Sequence, residues 1–342
     1  MNRREEVDRL IDEVGLPQAG VKLRVAAVLF TYRCSIRCRH CLFGSAPERP
    51  NVVMTARQCA DALRLLHETG RVVHIAGGEP MLYWEILADA VRVAHQEGNA
   101  PHFIETNGSF ATDDATVRER FGFLKAHGVK GLLASADPYH QEHVPVERFF
   151  RVRSIAKEVF GEKNFWGPGS SDDTIRDFEA IVHDEARLRE HVRKHPPTMV
   201  GAAYRHLSAY LDRCDPRDGR LPIPGWQGPR QEPACRGQIE GETMWEIHID
   251  PYGNIQTNCG IILGRLPETT PARLLAEGAA GANRFVEAVC ERGAVGLAEL
   301  ATREHGFVWP ETASQTCELC YVTRRFLRKF HPDVFGPEEV YA

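Results

Sequence analysis

The sequence predicts an α/β fold: a partial (β/α)6 TIM-like barrel followed by a small C-terminal region of β-hairpin plus helix. Three observations predict it. Apolar strand-like runs alternate with amphipathic helical stretches at about thirty residues per unit, the spacing of parallel βαβ crossovers. Each strand-like run ends in a polar or glycine-rich loop. Residues 215–233, with Asp215-Pro216, Leu221-Pro222-Ile223-Pro224-Gly225 and Gly228-Pro229, then break the alternation, and the texture changes beyond them.

Residues 4–14 read as a short amphipathic helix, with Val7, Leu10, Ile11 and Val14 at helical spacing. Residues 25–30 are wholly apolar, as in a strand buried on both faces. Thr55-Ala56-Arg57-Gln58 has the capping-box pattern and opens a helix through Leu63 and Leu66 that stops at Gly70. A strand at 72–76 runs into Gly77-Gly78-Glu79-Pro80, and a helix over 83–97 stops at Gly98. A strand at 102–105 leads to Thr106-Asn107-Gly108, and a helix capped by Thr112 or Asp113 runs to His127. The strand at 131–136 ends in Asp137-Pro138-Tyr139-His140. A fifth strand at 164–166 is cut short by Gly167-Pro168-Gly169, while a helix at 173–194 and a strand at 198–203 complete a sixth unit.

The expected organisation is therefore a helical lead-in over 1–21, a barrel over 22–213, a linker over 214–234 and a C-terminal domain over 235–342. In that last part Trp245, Ile247 and Ile249 alternate with Glu246, His248 and Asp250. The turn 250–254 leads into a second strand ending at Asn258-Cys259, which reads as a β-hairpin. A helix-rich stretch to about residue 301 precedes Cys317-Glu318-Leu319-Cys320.

Bulk properties exclude several classes. With 342 residues, 43% hydrophobic and 26% charged, the chain is an ordinary globular protein large enough for one α/β domain and an appendage. A net charge of −5 offers no electrostatic reason to expect nucleic acid. No run approaches the ~20 apolar residues of a membrane span, and the charged N-terminus lacks the apolar core of a secretory signal. Ten cysteines without such a signal point to a reducing, cytoplasmic setting and to metal rather than disulfides.

The chemistry concentrates in residues 31–44, where Cys34, Cys38 and Cys41 stand at the spacing C-x3-C-x2-C. They follow directly on the apolar run, so the thiols sit at a strand's carboxyl end, where α/β folds build active sites. Three thiolates hold three irons of a four-iron, four-sulfur cube and leave the fourth iron open for chemistry. Zinc modules favour paired C-x2-C knuckles, and no partner pair lies close to Cys41. Glu79 stands behind two glycines that let a ligand approach the backbone, and its carboxylate suits an ammonium group. Asn107, Ser135 and Asp137 offer polar groups at the same strand ends, where they also suit loop capping. His140 lies in the same stretch as Asp137, and Arg148, Arg151 and Arg153 form either a solvated helix face or a carboxylate partner. Cys235, Cys259, Cys317 and Cys320 make a second set, either for a four-iron cluster or for zinc. Cys214 or Cys290 is an alternative member of that set, and Cys59, on the first barrel helix, belongs to the core.

Through Cys34, Cys38 and Cys41, Gly77-Gly78-Glu79-Pro80 and the cysteine-bearing C-terminal region, the sequence resembles the radical S-adenosylmethionine (SAM) enzymes. The barrel part of the resemblance covers about 22–205. It implies a [4Fe-4S] cluster on Cys34, Cys38 and Cys41. It places His40 where the family often has an aromatic ring beside the adenine, with Phe43 as a further cofactor contact. Gly77, Gly78 and Glu79 would bind the SAM amino group, with Ser135 and Asp137 toward the ribose or carboxylate and Asn107 nearby. Cys235, Cys259, Cys317 and Cys320 resemble the reduced auxiliary-cluster region called Twitch, and would hold an auxiliary [4Fe-4S] cluster. The larger, two-cluster SPASM version needs more cysteines than this chain offers.

The activity implied is reductive cleavage of SAM to a 5′-deoxyadenosyl radical that abstracts a hydrogen atom from the substrate. A flavodoxin- or ferredoxin-type protein would donate the electron. Only 33 residues precede Cys34, too few for a fused leader-peptide-recognition domain. That favours a small-molecule or natural-product substrate over maturation of a ribosomally made peptide. A cobalamin-dependent variant would want a separate N-terminal domain, and a reading from another class is a zinc-bound, catalytically silent interaction module. No residue is singled out for contact with the substrate.

Overall fold

The computed structural model describes residues 3–223, 235–239, 241 and 243–341. Residues 224–234, the core of the expected linker, lie outside them. The chain divides into two compact units, the first made of Met1–Arg37, Ser45–His183 and Glu246–Gly253.

In the first unit, α1 (Arg3–Val14) and α2 (Leu16–Leu23) precede β1 (Val25–Leu29). There follow α3 (Ala56–His67), β2 (Val72–Ala76), α4 (Trp84–Gln96), β3 (Phe103–Thr106), α5 (Asp114–Ala126) and β4 (Gly131–Ala134). Next come α6 (Pro138–Gln141), α7 (Val146–Phe160), the two-residue β5 (Phe165–Trp166), α8 (Asp172–Val182) and, much later, β6 (Glu246–Ile249). All six strands run parallel in the order β5-β4-β3-β2-β1-β6. Every residue of β1 and β2 is buried, as their near-continuous apolar composition requires. The start of α3 is set by the expected capping box: Thr55 accepts from the Gln58 amide while the Gln58 side chain accepts from the Thr55 amide.

The sixth strand differs from expectation. Residues 198–203 do not form it; β6 does, pairing with β1 so that Val25 opposes Glu246 and Ala27 opposes His248. The polar residues of 246–250, read as the alternate face of a hairpin, are thus wholly or largely buried. The reason is that β1 would otherwise present a row of unpaired backbone groups on its free side.

The second unit comprises Cys38–Gly44, Asp184–Trp245 and Asn254–Ala342. Its helices are α9 (Glu185–Lys194), α10 (Gly201–Leu207), α11 (Arg236–Ile239), α12 (Pro271–Glu277), α13 (Arg284–His305) and α14 (Thr316–Leu327). Its strands β7 (Asn254–Thr257) and β8 (Ile262–Arg265) pair antiparallel. The expected turn at 250–254 is present, with the Gly253 amide donating to the Asp250 carbonyl (3.0 Å), and a second turn at 258–261 joins β7 to β8. Cys259 sits in that second turn, where Gly260 takes a φ of 81°. The single helix expected over 173–194 is two, because Asp184 caps a new helix by accepting from the Ala186 and Arg187 amides. Residues 201–207 are helical, as suits the alanines, arginine and leucine after Gly201 and the lack of a β-branched side chain beyond Val200.

Candidate active site

At the carboxyl ends of β1, β2 and β3 the first unit ties three loops together. Gly77, with φ 125°, and Gly78 bring the second loop against the first: the Gly78 amide donates to the Thr31 carbonyl (2.7 Å) and the Glu79 amide to that of Arg33 (3.1 Å). A Cβ on Gly78 would lie 1.9 Å from the Arg33 carbonyl oxygen, so here the close approach is made by the cysteine loop's own backbone.

Glu79, 1% exposed, joins the third loop to the second. Its Oε1 accepts from the Met81 amide (3.0 Å) and the Thr106 hydroxyl (2.9 Å), and its Oε2 from the Asn107 amide (2.7 Å). Burial pushes its carboxyl pKa up to about 7 against the pull of those donors. Three of about four acceptor positions are filled, leaving room for one further donor.

Asn107 completes the link back to the first loop. Its Nδ2 donates to the Cys34 sulfur (3.4 Å) and to the Ser35 hydroxyl (3.1 Å), while its Oδ1 accepts from the Ser109 amide (2.8 Å). Ser35 and Ser109 share a 2.6 Å hydroxyl contact. Cys34 itself is buried. Asp250, fully buried after β6, accepts from the Tyr32 hydroxyl (3.0 Å) and so anchors the residue two before Cys34. Sequence reasoning missed Asp250, since its turn-like neighbours explained it as a loop residue.

Ser135 and Asp137 follow β4, both half-buried. The Ser135 amide donates to the Thr106 carbonyl (3.1 Å). Asp137 caps α6: its Oδ1 accepts from the Tyr139 and His140 amides (3.0 and 3.1 Å), and Oδ2 lies 2.7 Å from His140 Nδ1. Among the three arginines of α7, Arg151 pairs with Asp114 and Arg153 with Asp172, whereas Arg148 donates to the Ser109 carbonyl, close to the Asn107 loop.

In the second unit Cys38 is buried and Cys41 half-buried, as are His40 and Phe43. The Cys41 carbonyl accepts from the Ala202 amide at the start of α10 (2.9 Å). A Cβ on Gly201, whose φ is 56°, would fall 2.5 Å from that same oxygen. The segment expected as a strand is thus the support of the cysteine loop's second half.

Cys235, Cys259, Cys317 and Cys320 line one cavity of this unit, together with Arg324. Cys317 and Cys320 are one turn apart in α14. Arg324, on the same helix and 1% exposed, donates to the Tyr341 hydroxyl (3.0 Å). Burial works against its charge, but Tyr341 and the Cys320 and Cys259 thiols outweigh this and hold its pKa above the ordinary value. Burial also raises the Cys320 thiol, opposed by Arg324. The Thr257 hydroxyl is 3.1 Å from the Cys259 sulfur. Cys214 and Cys290 do not line the cavity: Cys214 is bridged through its backbone to Ala313, and Cys290 is fully buried in α13. Cys59 is fully buried in α3, and burial raises its thiol far above the usual range. Among the described residues no disulfide joins any cysteine, and no helix is long and apolar enough to cross a membrane.

Comparison with known proteins agrees with the first unit's chemistry. Residues 28–160 match the family model described as the Radical SAM superfamily. A stretch of 139 residues is 26% identical to the GTP 3′,8-cyclase of Aquifex aeolicus (strain VF5), covering 39% of each chain. The chain therefore spans about 39% of the length of that curated relative. Two solved structures are also similar. BtrN in complex with AdoMet and 2-DOIA aligns with a TM-score of 0.43 and 13% identity, over 80% of this chain and 89% of BtrN. Streptococcus suis SuiB bound to S-adenosylmethionine aligns at 0.31 and 16%, over 72% of this chain and 62% of SuiB.

Proposed function

We propose that this chain, a radical SAM enzyme by its residues 28–160, holds its SAM-binding [4Fe-4S] cluster on Cys34, Cys38 and Cys41 and acts on a small-molecule or natural-product substrate. The observation that carries the reading is that the matched stretch contains both the C-x3-C-x2-C loop and Gly77-Gly78-Glu79-Pro80, and that Glu79 and Asn107 bind those loops together. When bound, the reduced cluster and SAM supply a 5′-deoxyadenosyl radical that takes a hydrogen atom from the substrate.

The residues present fit the cofactors. Asn107 aims an N–H at the Cys34 sulfur, a bond that steadies a thiolate ligand and tunes its electron density. Glu79 keeps one acceptor position for the SAM ammonium group while its other positions fix the loops. His40 and Phe43 serve the adenine, and Ser135 and Asp137 the ribose or carboxylate, with Asp137 already oriented by capping α6. Tyr32 and Asp250 hold the base of the cysteine loop with a buried hydrogen bond.

The second cysteine set supports an auxiliary [4Fe-4S] cluster, since four thiols and a buried cation share one cavity. Four thiolates on a cube leave a net negative charge, and Arg324 offsets it where water does not reach. A flavodoxin- or ferredoxin-type donor supplies the electron. A peptide substrate with a separate recognition protein is the second reading.

The test is direct. Replacing Cys34, Cys38 and Cys41 together with Ala should abolish 5′-deoxyadenosine formation from SAM under reducing conditions, read by chromatography. Formation at the wild-type rate would end the assignment.

A further inference from the structure

On one face of the first unit's sheet, remote in sequence from the cysteine loop, β2, β3 and β6 bring together a histidine and two glutamates. We infer that His74, Glu105 and Glu246 bind one divalent first-row transition-metal ion of the zinc, iron or manganese type.

The register puts them there. His74 of β2 and His248 of β6 both oppose Ala27 of β1, so their side chains leave the same face of the sheet. With strands about 4.8 Å apart, the two histidine backbones stand roughly 9.6 Å apart with only a methyl group between them. That leaves space above Ala27 for the side chains to converge. Glu246, two residues before His248, and Glu105, two after Phe103, which opposes His74, project from that same face. The His74 ring is fixed by stacking on Phe103, with centroids 4.2 Å apart and planes at 9°.

His74 Nε2 lies 3.1 Å from Glu246 Oε1 and 3.3 Å from Glu105 Oε1, and the three candidate donor atoms fall within 4.8 Å of one another. His74 is 1% exposed, so its Nε2 meets these two carboxylate oxygens away from bulk water. A buried imidazole nitrogen within 3.3 Å of two carboxylate oxygens is placed to share one ion with them. Nitrogen and oxygen ligands about 2.0–2.1 Å from a metal stand roughly 3.0–3.4 Å from each other, the spacing of His74 Nε2 from each carboxylate oxygen. Imidazole nitrogen with two carboxylates suits a borderline divalent ion and has none of the thiolates that would favour a cluster. His248 Nε2, 3.1 Å from that same Glu246 Oε1, helps to orient the carboxylate. The Glu105 side chain, 36% exposed, is where an ion would enter.

The experiment uses the full chain with its clusters reconstituted, so that the thiols are occupied, and titrates it with Mn2+ while free Mn2+ is counted by electron paramagnetic resonance. Mn2+ is the probe because it prefers oxygen and nitrogen to sulfur. The expected result is one Mn2+ per chain, displaced by Zn2+, with affinity at least ~10-fold weaker in Glu105→Gln and in Glu246→Gln. Glu119→Gln, an exposed carboxylate of α5, should bind as the wild type does. Glu105 is half-exposed, so its variant carries the test alone should Glu246→Gln fail to fold. Wild-type binding no tighter than about 1 mM, or binding that Glu105→Gln leaves unchanged, would overturn the site and leave a buried ion-pair cluster.

Discussion

The Asn107 side-chain amide donates to the Cys34 sulfur across 3.4 Å, joining the loop after β3 to the first cysteine of the loop after β1. A hydrogen bond to a ligand sulfur stabilises the reduced, more negative cluster. Asn107→Ala should therefore lower the potential of the SAM-binding cluster. About 1 kcal/mol of differential hydrogen bonding corresponds to roughly 40 mV for one electron. Redox titration followed by electron paramagnetic resonance measures it, and an unmoved potential would mean the contact does no electronic work.

Glu79 should make folding stability depend on pH. Its folded pKa, about 7, lies above its ordinary value of 4.5. Its contribution to stability is then fully present below about pH 4.5 and is lost as pH rises through 7, a loss of roughly 3 kcal/mol when complete. Urea unfolding of the cluster-free full chain at pH 5 and pH 8 should show this decline in the wild type. Glu79→Gln should lack that component of the pH slope, while binding SAM about ten- to a hundredfold more weakly. A pH slope identical in both proteins would show that Glu79 ionises freely.

Two glycines should respond in opposite directions. Gly78→Ala places a Cβ 1.9 Å from the Arg33 carbonyl and should cost roughly 2–4 kcal/mol by thermal unfolding. Gly122→Ala, inside α5 with nothing beyond its own helix backbone within 4 Å of the new carbon, should gain about 0.5–1 kcal/mol. Equal melting temperatures for the two variants would contradict the close loop contact.

Iron content should separate the cysteines of the second unit. Reconstituted wild type should carry about eight irons, and the triple Ala variant at Cys34, Cys38 and Cys41 about four. Ala at Cys235, Cys259, Cys317 or Cys320 should lose the second set, whereas Cys214→Ala and Cys290→Ala should keep it, because neither lines the cavity. Zinc without iron–sulfur absorption in the triple variant would instead leave a one-cluster enzyme with a structural zinc.

Arg324→Met keeps the length of the side chain but removes the cation beside Cys259 and Cys320. An uncompensated anionic cluster is harder to reduce, so the auxiliary potential should fall while the iron count stays constant. A potential unchanged by the substitution would place the Arg324 charge outside the field of the cluster.

The sequence by itself determined most of the first unit. The apolar runs of β1 and β2, the capping box at Thr55 and the glycine stops all act within a few residues, so their outcome is written locally. The C-x3-C-x2-C spacing and the Gly77-Gly78-Glu79 turn were legible for the same reason. What only the tertiary structure decided are pairings across long separations. Residues 246–249 read locally as a hairpin arm, and local sequence carries no sign that the open edge of β1, more than 200 residues away, also takes them as a sixth parallel strand. That pairing buries Glu246 and His248 beside His74, a cluster whose only sequence sign was a histidine inside an apolar strand. Residues 198–203 are as apolar as a short strand, and local periodicity does not tell such a run from a helix. The helix beginning at Gly201 goes with a tertiary contact, the Cys41 carbonyl meeting the Ala202 amide, since backbone groups in a buried loop must find partners wherever the fold supplies them.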